Sequence, residues 1–436
     1  MNFMTTGKPE ILTDIDNLQS TVSTHSTQLE DITKQKTNII NVDSFSGSDD
    51  EKFNQAINYC KTNKVDLFIG RKLIVTQSFK NYDFSFSIIG STSINSEVFL
   101  NSTTTIDNLF EITSIPGICS SKIQNITFNA NKKANVSVQL NKGRWNCFEN
   151  VQIKYGIVKD FVIGKDANNK VIELTLNRVY VTGGEQIDGS PMSDYNIYVH
   201  GSSSDNNFID VTCINAKISN IFDEGWSNQY TNIHCYGYPY QQVADYNLYI
   251  TGAFGTLTNI QCDTFKVAGM FIRTKNISLN NIKLQTKLDL YPSAGGIIVD
   301  TVNSASKNLS FNNIMLKRFL ETDTQNYPFD IKFTDKQPRT VNITNVINDV
   351  VDYLGRVTTS LKQVVTIPQG TTSFKISLPY TLESNNYAIV YNCDFDSGKI
   401  LITSKGTKDI WFSIQTAPIS PSGGLFSVIL AHQLNS

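Results

Sequence analysis

Paired cysteine spacings, long apolar runs and strong net charge are all missing from this 436-residue chain. Its seven cysteines are an odd number and include no CxxC pair. That argues against a disulfide framework and a zinc site, so no metal and no cofactor is expected. No segment reaches the roughly 18 consecutive apolar residues that span a bilayer, which excludes helical membrane insertion. A formal net charge of −2 gives no electrostatic basis for binding nucleic acid. The opening residues, MNFMTTGKPE, lack the charged-then-apolar pattern of a secretory signal, so synthesis and folding in a cytoplasm are expected. What remains is a chain of 40% hydrophobic and 17% charged residues, enough for an ordinary core.

In residues 1–40 apolar side chains recur at Ile11, Ile15, Leu18, Val22, Leu29, Ile32 and Ile39. Ile15, Val22 and Leu29 fit heptad position a, and Leu18 and Ile32 fit d. This seam predicts a short coiled coil that assembles copies of the chain in parallel. His25 reads as a register-setting polar core residue, with a pH switch as the sharper alternative.

Ser48-Asp-Asp-Glu51 is a capping box, followed by Phe53, Ala56, Ile57 and Cys60 on one helical stripe. A strand-like run, Val65 to Val75, comes next. One short helix ahead of strands alone suggests a plug over the open end of a solenoid.

The stretch YTNIHCYG, Tyr230 to Gly237, sets a histidine beside a cysteine and raises the possibility of half a metal site. A repeat answers it. The pattern apolar, any, Asn, Ile/Val, any, apolar recurs around Asn125, Asn150, Asn232, Asn259, Asn281, Asn313 and Asn345, with Arg178 and Asp210 replacing Asn in two copies. From Ile126 to Val346 there are 220 residues in eight intervals, or about 27 per repeat, with spacings of 22 to 32. Apolar residues at 0, +3 and +5 break strand alternation, so the chain must bend between 0 and +3. Apart from Gly, Asn best tolerates the left-handed backbone of such a bend, and stacked Asn side chains can bond in a ladder. The pattern predicts a right-handed, single-stranded parallel β-helix. Cys213, Cys235 and Cys262 then share one inward column, and His234 faces solvent without chemistry. Asp194-Tyr-Asn-Ile-Tyr-Val and Asp245-Tyr-Asn-Leu-Tyr-Ile begin 51 residues apart, near two coils, and should lie two rungs apart on one face.

The residues NVDSFSGSDDEKFNQAINYC, an aliphatic strand and Asn-punctuated coils together resemble the pectate-lyase-like β-helix superfamily, in its phage tailspike and tail-appendage branch. Val42-Asp-Ser-Phe45 and Asp49-Asp50 match its opening, whereas Ser46 replaces the usual Gly and Glu51 the usual Thr. The resemblance covers roughly residues 41–355 and is specific for fold. It implies a homotrimer held through coiled coil and β-helix and attached to virion tail proteins at the N-terminus. It also implies a host cell-surface glycopolymer as ligand and a place in the virion. The Asn/Ile/Lys-rich composition suggests a low-GC Gram-positive host, and hence teichoic acid, by analogy alone.

From about Lys362, short strands separated by Gly, Pro, Ser and Asn predict a small antiparallel β-sandwich. The expected domains are 1–40, 41–356 and 357–436. Candidate chemistry gathers in the middle coils. Asp194, Asp223, Glu224 and Asp245 are the candidate catalytic carboxylates, Asp223 or Glu224 falling between the other two. Trp226, Tyr236, Tyr238 and Tyr240 are candidate sugar-stacking residues. Blander roles stay open: turn residues for the carboxylates, subunit contacts for the tyrosines. The readings that follow are a glycopolymer-binding appendage with depolymerase activity, a purely adhesive tail fibre binding through its C-terminal domain, or a cellular polysaccharide lyase. The missing signal and the heptads disfavour the last.

Overall fold

The computed structural model describes residues 38–113, 121–184, 192–238, 243–301, 306–317, 327–334, 341–344, 350–351, 361–377, 387–406, 409–420 and 422–432. The heptad seam with His25 lies outside the described residues, as do Asn345 and Tyr240.

Coil after coil of parallel strands stacks into a β-helix. One sheet of 18 strands and another of 12 form its long faces. The bend in each repeat is where the motif puts it. Asn125, Asn150, Arg178, Asp210, Asn232, Asn259, Asn281 and Asn313 all have φ between 52° and 57°. All but Arg178, which binds Glu149 instead, join a ladder of side chains in two runs: Asn150 donates to Asn125 at 2.8 Å, then Asn232 to Asp210 at 3.0 Å, Asn259 to Asn232 at 3.1 Å, Asn281 to Asn259 at 3.1 Å and Asn313 to Asn281 at 2.7 Å.

Inside the bend, Phe128, Ile153, Val181, Cys213, Cys235, Cys262, Leu284 and Leu316 pair in register from rung to rung. The three cysteines are fully buried and unbridged. Burial pushes the Cys213 and Cys262 thiols well up, as expected of small apolar core residues. His234 faces outward, but it has a partner: its Nε2 lies 3.0 Å from Asp263 Oδ2.

Helix α1, Asp49–Asn63, closes the first coil. Ser48 Oγ accepts from the Glu51 N–H, and Glu51 accepts from the Ser48 N–H. Phe53, Ala56, Ile57 and Cys60 point down into the solenoid, where Phe53 meets Phe79 at 4.7 Å. The run expected as one strand from Val65 to Val75 is two, Asp66–Ile69 and Lys72–Val75. Arg71 at the break turns out to bind Asp43 and Asp49, holding both carboxyls below their usual range. The parallel stack starts with the short strand Ile39–Asn41 and includes two further rungs before the first copy of the Asn motif.

Beyond the coils, Leu361–Ile367, Gly424–His432 and Tyr387–Cys393 make one antiparallel sheet. Ser373–Ser377, Asp409–Ile414 and Ile400–Lys405 make another. Phe426 of the first lies 4.9 Å from Phe374 and 5.1 Å from Phe412 of the second.

Candidate functional site

The 12-stranded sheet carries the densest chemistry. Its central strands are β1 (Lys159–Ile163), β2 (Tyr195–Val199), β3 (Ser219–Asp223), β4 (Tyr246–Ile250), β5 (Ala268–Ile272) and β6 (Gly295–Val299). They pair in that order, all parallel. Tyr195 and Tyr246 therefore sit two rungs apart in one column, with Ser219 between them, as the internal similarity predicts.

Register also aligns Tyr198, Phe222, Tyr249 and Phe271. Their rings stack at 5.2, 4.9 and 4.3 Å, within 16° of parallel. Tyr195 and Tyr246 brace the ladder edge-on, at 5.2 Å from Phe222 and 5.6 Å from Phe271. In such a stack the faces cover each other, so edges and hydroxyls are what solvent meets. The position is a repeated aromatic in four successive strands. The sequence carries part of this signal: the strands of Tyr198 and Tyr249 match closely and Ala268-Gly-Met-Phe-Ile is a degenerate version of them, whereas the strand of Phe222 shows no such likeness.

Charged groups collect at the Tyr198 end. Tyr198 donates its hydroxyl to Glu224 Oε2 at 2.8 Å, and Lys159 Nζ lies 3.5 Å from the Tyr198 ring centre. Burial depresses the Lys159 ammonium, while Glu224 and Asp194 oppose that shift. Burial, then Glu224, raises the Tyr198 phenol. A carboxylate, a phenol donor and an ammonium are thus within reach of one ligand, a set suited to proton transfer with charge stabilisation. At the other end Arg273 binds Asp300 at 2.5 Å.

The remaining candidates scatter. Asp223 does not fall between Asp194 and Asp245. It closes β3 in register with Val199 and Ile250, points inward and is 3% exposed. There it accepts from Tyr230 Oη at 2.7 Å, the Gly225 N–H at 2.7 Å and Asn228 Nδ2 at 3.0 Å. Burial raises its carboxyl nonetheless. Glu224 follows it at the far end of the strand from the two aspartates. Asp194 and Asp245 precede β2 and β4, each near a lysine: Lys217 at 3.8 Å and Lys266 at 3.9 Å.

Trp226 and Tyr236 flank opposite ends of Gln229–Tyr236, a strand of the other sheet. Tyr236 lies 4.7 Å from His234, and Tyr238 is 63% exposed with its N–H donated to Asn215. These aromatics do not form one platform. Among the described residues no group of three or more His, Cys, Asp or Glu could hold a metal ion.

Neither a scan against protein-family models nor a search of curated proteins finds a match. Solved structures do. The enzymatically active domain of tailspike protein 2 of bacteriophage CBA120 is similar at a TM-score of 0.55 and 11% identity, over 92% of this chain and 71% of that one. The full-length tailspike protein 2, from the bacteriophage of Escherichia coli O157:H7, gives 0.55 and 12%, over 84% of this chain and 57% of that one. The enzymatically active domain of tailspike protein 4 of CBA120 gives 0.51 and 10%, over 90% and 68%. With coil stacking, register and a helix-capped end all in view, the chain has the parallel β-helix fold of the phage tailspikes.

Proposed function

We propose that this chain is a phage tail appendage that recognises a host cell-wall glycopolymer, of the teichoic acid class, along the outer face of its β-helix. The observation that carries the reading is the Tyr198–Phe222–Tyr249–Phe271 ladder with Glu224 and Lys159 at one end. The neighbours in fold are tailspike proteins, two of them described as enzymatically active domains, which supports the same reading. Tyrosine hydroxyls along the ladder hydrogen-bond the polymer. Glu224 serves as general acid–base, Tyr198 sets its orientation and Lys159 offsets developing negative charge. Asp194 and Asp245 line the near edge as secondary contacts, and Asp223 supports the strand from within.

In this reading residues 1–37 join three copies and attach them to the tail, and the two C-terminal sheets form a sandwich. Purified host cell wall incubated with the protein tests the cleavage step. Release of sugar or glycerol phosphate is expected, and Glu224→Gln should lower it by about 100-fold or more. Tyr198→Phe should lower it less and shift the pH profile. Binding with no release by the unmodified protein would leave the purely adhesive fibre as the better description. Release unchanged in Glu224→Gln removes Glu224 from the site.

A further inference from the structure

A second place on the molecule combines two features that cost stability. At the corner leading into the 18-stranded sheet, each coil has one residue in left-handed conformation. The column runs Trp145, Glu173, Asp205, Ser227, Phe254, Asn276 and Asn308, with φ from 55° to 64°. Each of the first five residues donates its N–H to the next coil, so the positions are structurally equivalent. Small polar residues suit this backbone, whereas a bulky aromatic is an outlier there. Trp145 and Phe254 nevertheless occupy it, and Phe254, at φ 64°, leaves 45% of itself in solvent. Its ring stacks on Trp226 of the preceding coil at 5.8 Å and 28°, and Trp226 is 47% exposed.

One and two coils further, Lys275 and Lys307 lie directly in register with each other. Like charges in that arrangement repel. Neither forms an ion pair among the described residues, and Lys275 Nζ lies 5.9 Å from the Trp226 ring centre. Residues 302–305, just before Lys307, are Val-Asn-Ser-Ala and bring no charge. Asp205 and Glu173 lie on the far side of Trp226, and Glu173 is bound to Arg144.

An anion with an apolar side would cover the exposed rings and offset the repulsion between the two lysines. We propose that the corner formed by Trp226, Phe254, Lys275 and Lys307 is a second saccharide site, which takes an anionic glycopolymer. The apolar C–H groups of a pyranose pack against the exposed edges of the two stacked rings, and the phosphodiester or carboxylate of the chain sits between the two ammonium groups. This rests on the glycopolymer reading above for its ligand class, but uses none of the ladder residues.

Affinity electrophoresis of the full-length protein through gels holding glycerol-phosphate teichoic acid, sodium polyglucuronate or neutral dextran tests it. At least one polyanion is expected to retard the protein and dextran is not; which polyanion does so identifies phosphate or carboxylate as the recognised group. Phe254→Asn places the residue of Asn276 and Asn308 at the same corner, so it should fold and melt at a higher temperature. It should weaken retardation about tenfold, the loss of one modest contact. Lys275→Gln with Lys307→Gln should do the same and flatten the salt dependence. Equal retardation by dextran, no retardation by either polyanion, or full retardation of both variants overturns the proposal. If the variants keep full polyanion binding while Tyr198→Ala abolishes cell-wall binding, the second site falls and the proposed function stands. If the unmodified protein binds polyanions through the corner but never host wall, the reverse holds.

Discussion

Left-handed backbone costs an L-residue roughly 1–2 kcal/mol, and Asn less because its short amide bonds locally. That penalty explains why Asn, Asp and one Arg mark the bends, and why the bends could be located from sequence. The requirement lies within a single residue and its two neighbours. Asn259 sits mid-ladder, donating to Asn232 and accepting from Asn281. Asn259→Ala should lower stability by about 1–2 kcal/mol, and Asn259→Gly by less, since Gly accepts the same φ at no steric cost. Denaturant unfolding of the two variants measures the difference. Asp160 offers a pH test. It is fully buried, and burial lifts its carboxyl from 3.8 to about 7, against the opposing pull of Lys132, Ser193, Asn196 and the Gly156 N–H. The folded pKa is the higher one, so this group favours the fold most below pH 4. That contribution is lost as pH rises through about 7. Asp160→Asn should flatten the fall in stability between pH 4 and 8, read from unfolding midpoints across that range. Asp223-Glu-Gly reads as a surface turn in the sequence, whereas the structure turns Asp223 inward. Its direction is set by the strand before it, where Asn220 and Ile221 both face inward and Phe222 faces out.

Among the elements, α1 was legible down to its cap, because a capping box and an apolar stripe at helical spacing are local signals. Its task is packing. Phe53 fills the top of the solenoid against Phe79 and Phe110. Phe53→Ala should therefore cost about 3–5 kcal/mol and fray the first coils, seen as faster amide exchange in Asp66–Ile69 and Lys72–Val75. The aromatic ladder is the opposite case. Tyr198, Phe222, Tyr249 and Phe271 are separated by 24, 27 and 22 residues. Whether they stack depends on the length of every turn between them, since one residue more would put the next ring on the other face. No local rule supplies that register. The same dependence split Trp226 from Tyr236, which are near in sequence but at opposite ends of one strand.

For the molecule as a whole, coils pair with their neighbours and only a few side chains, such as Gln152 to Ser93, reach across two coils, so stability adds largely along the axis and each end needs a lid. Helix α1 is the lid at one end. If residues 1–37 hold three copies together, deleting them should reduce the mass found by light scattering from three chains towards one, with the circular dichroism of the β-helix kept. An unchanged mass would assign assembly to the coils alone. The bend residues, the inward cysteine column and the capping helix followed from the order of amino acids alone, because each is governed by contacts within a turn or by a strict repeat. The ladder, the inward turn of Asp223, the Glu224–Tyr198–Lys159 cluster and the exposed corner at Phe254 emerged only once the coils were stacked. They depend on which residue of one coil lies above which of the next, and that alignment is settled by packing across some two dozen intervening residues.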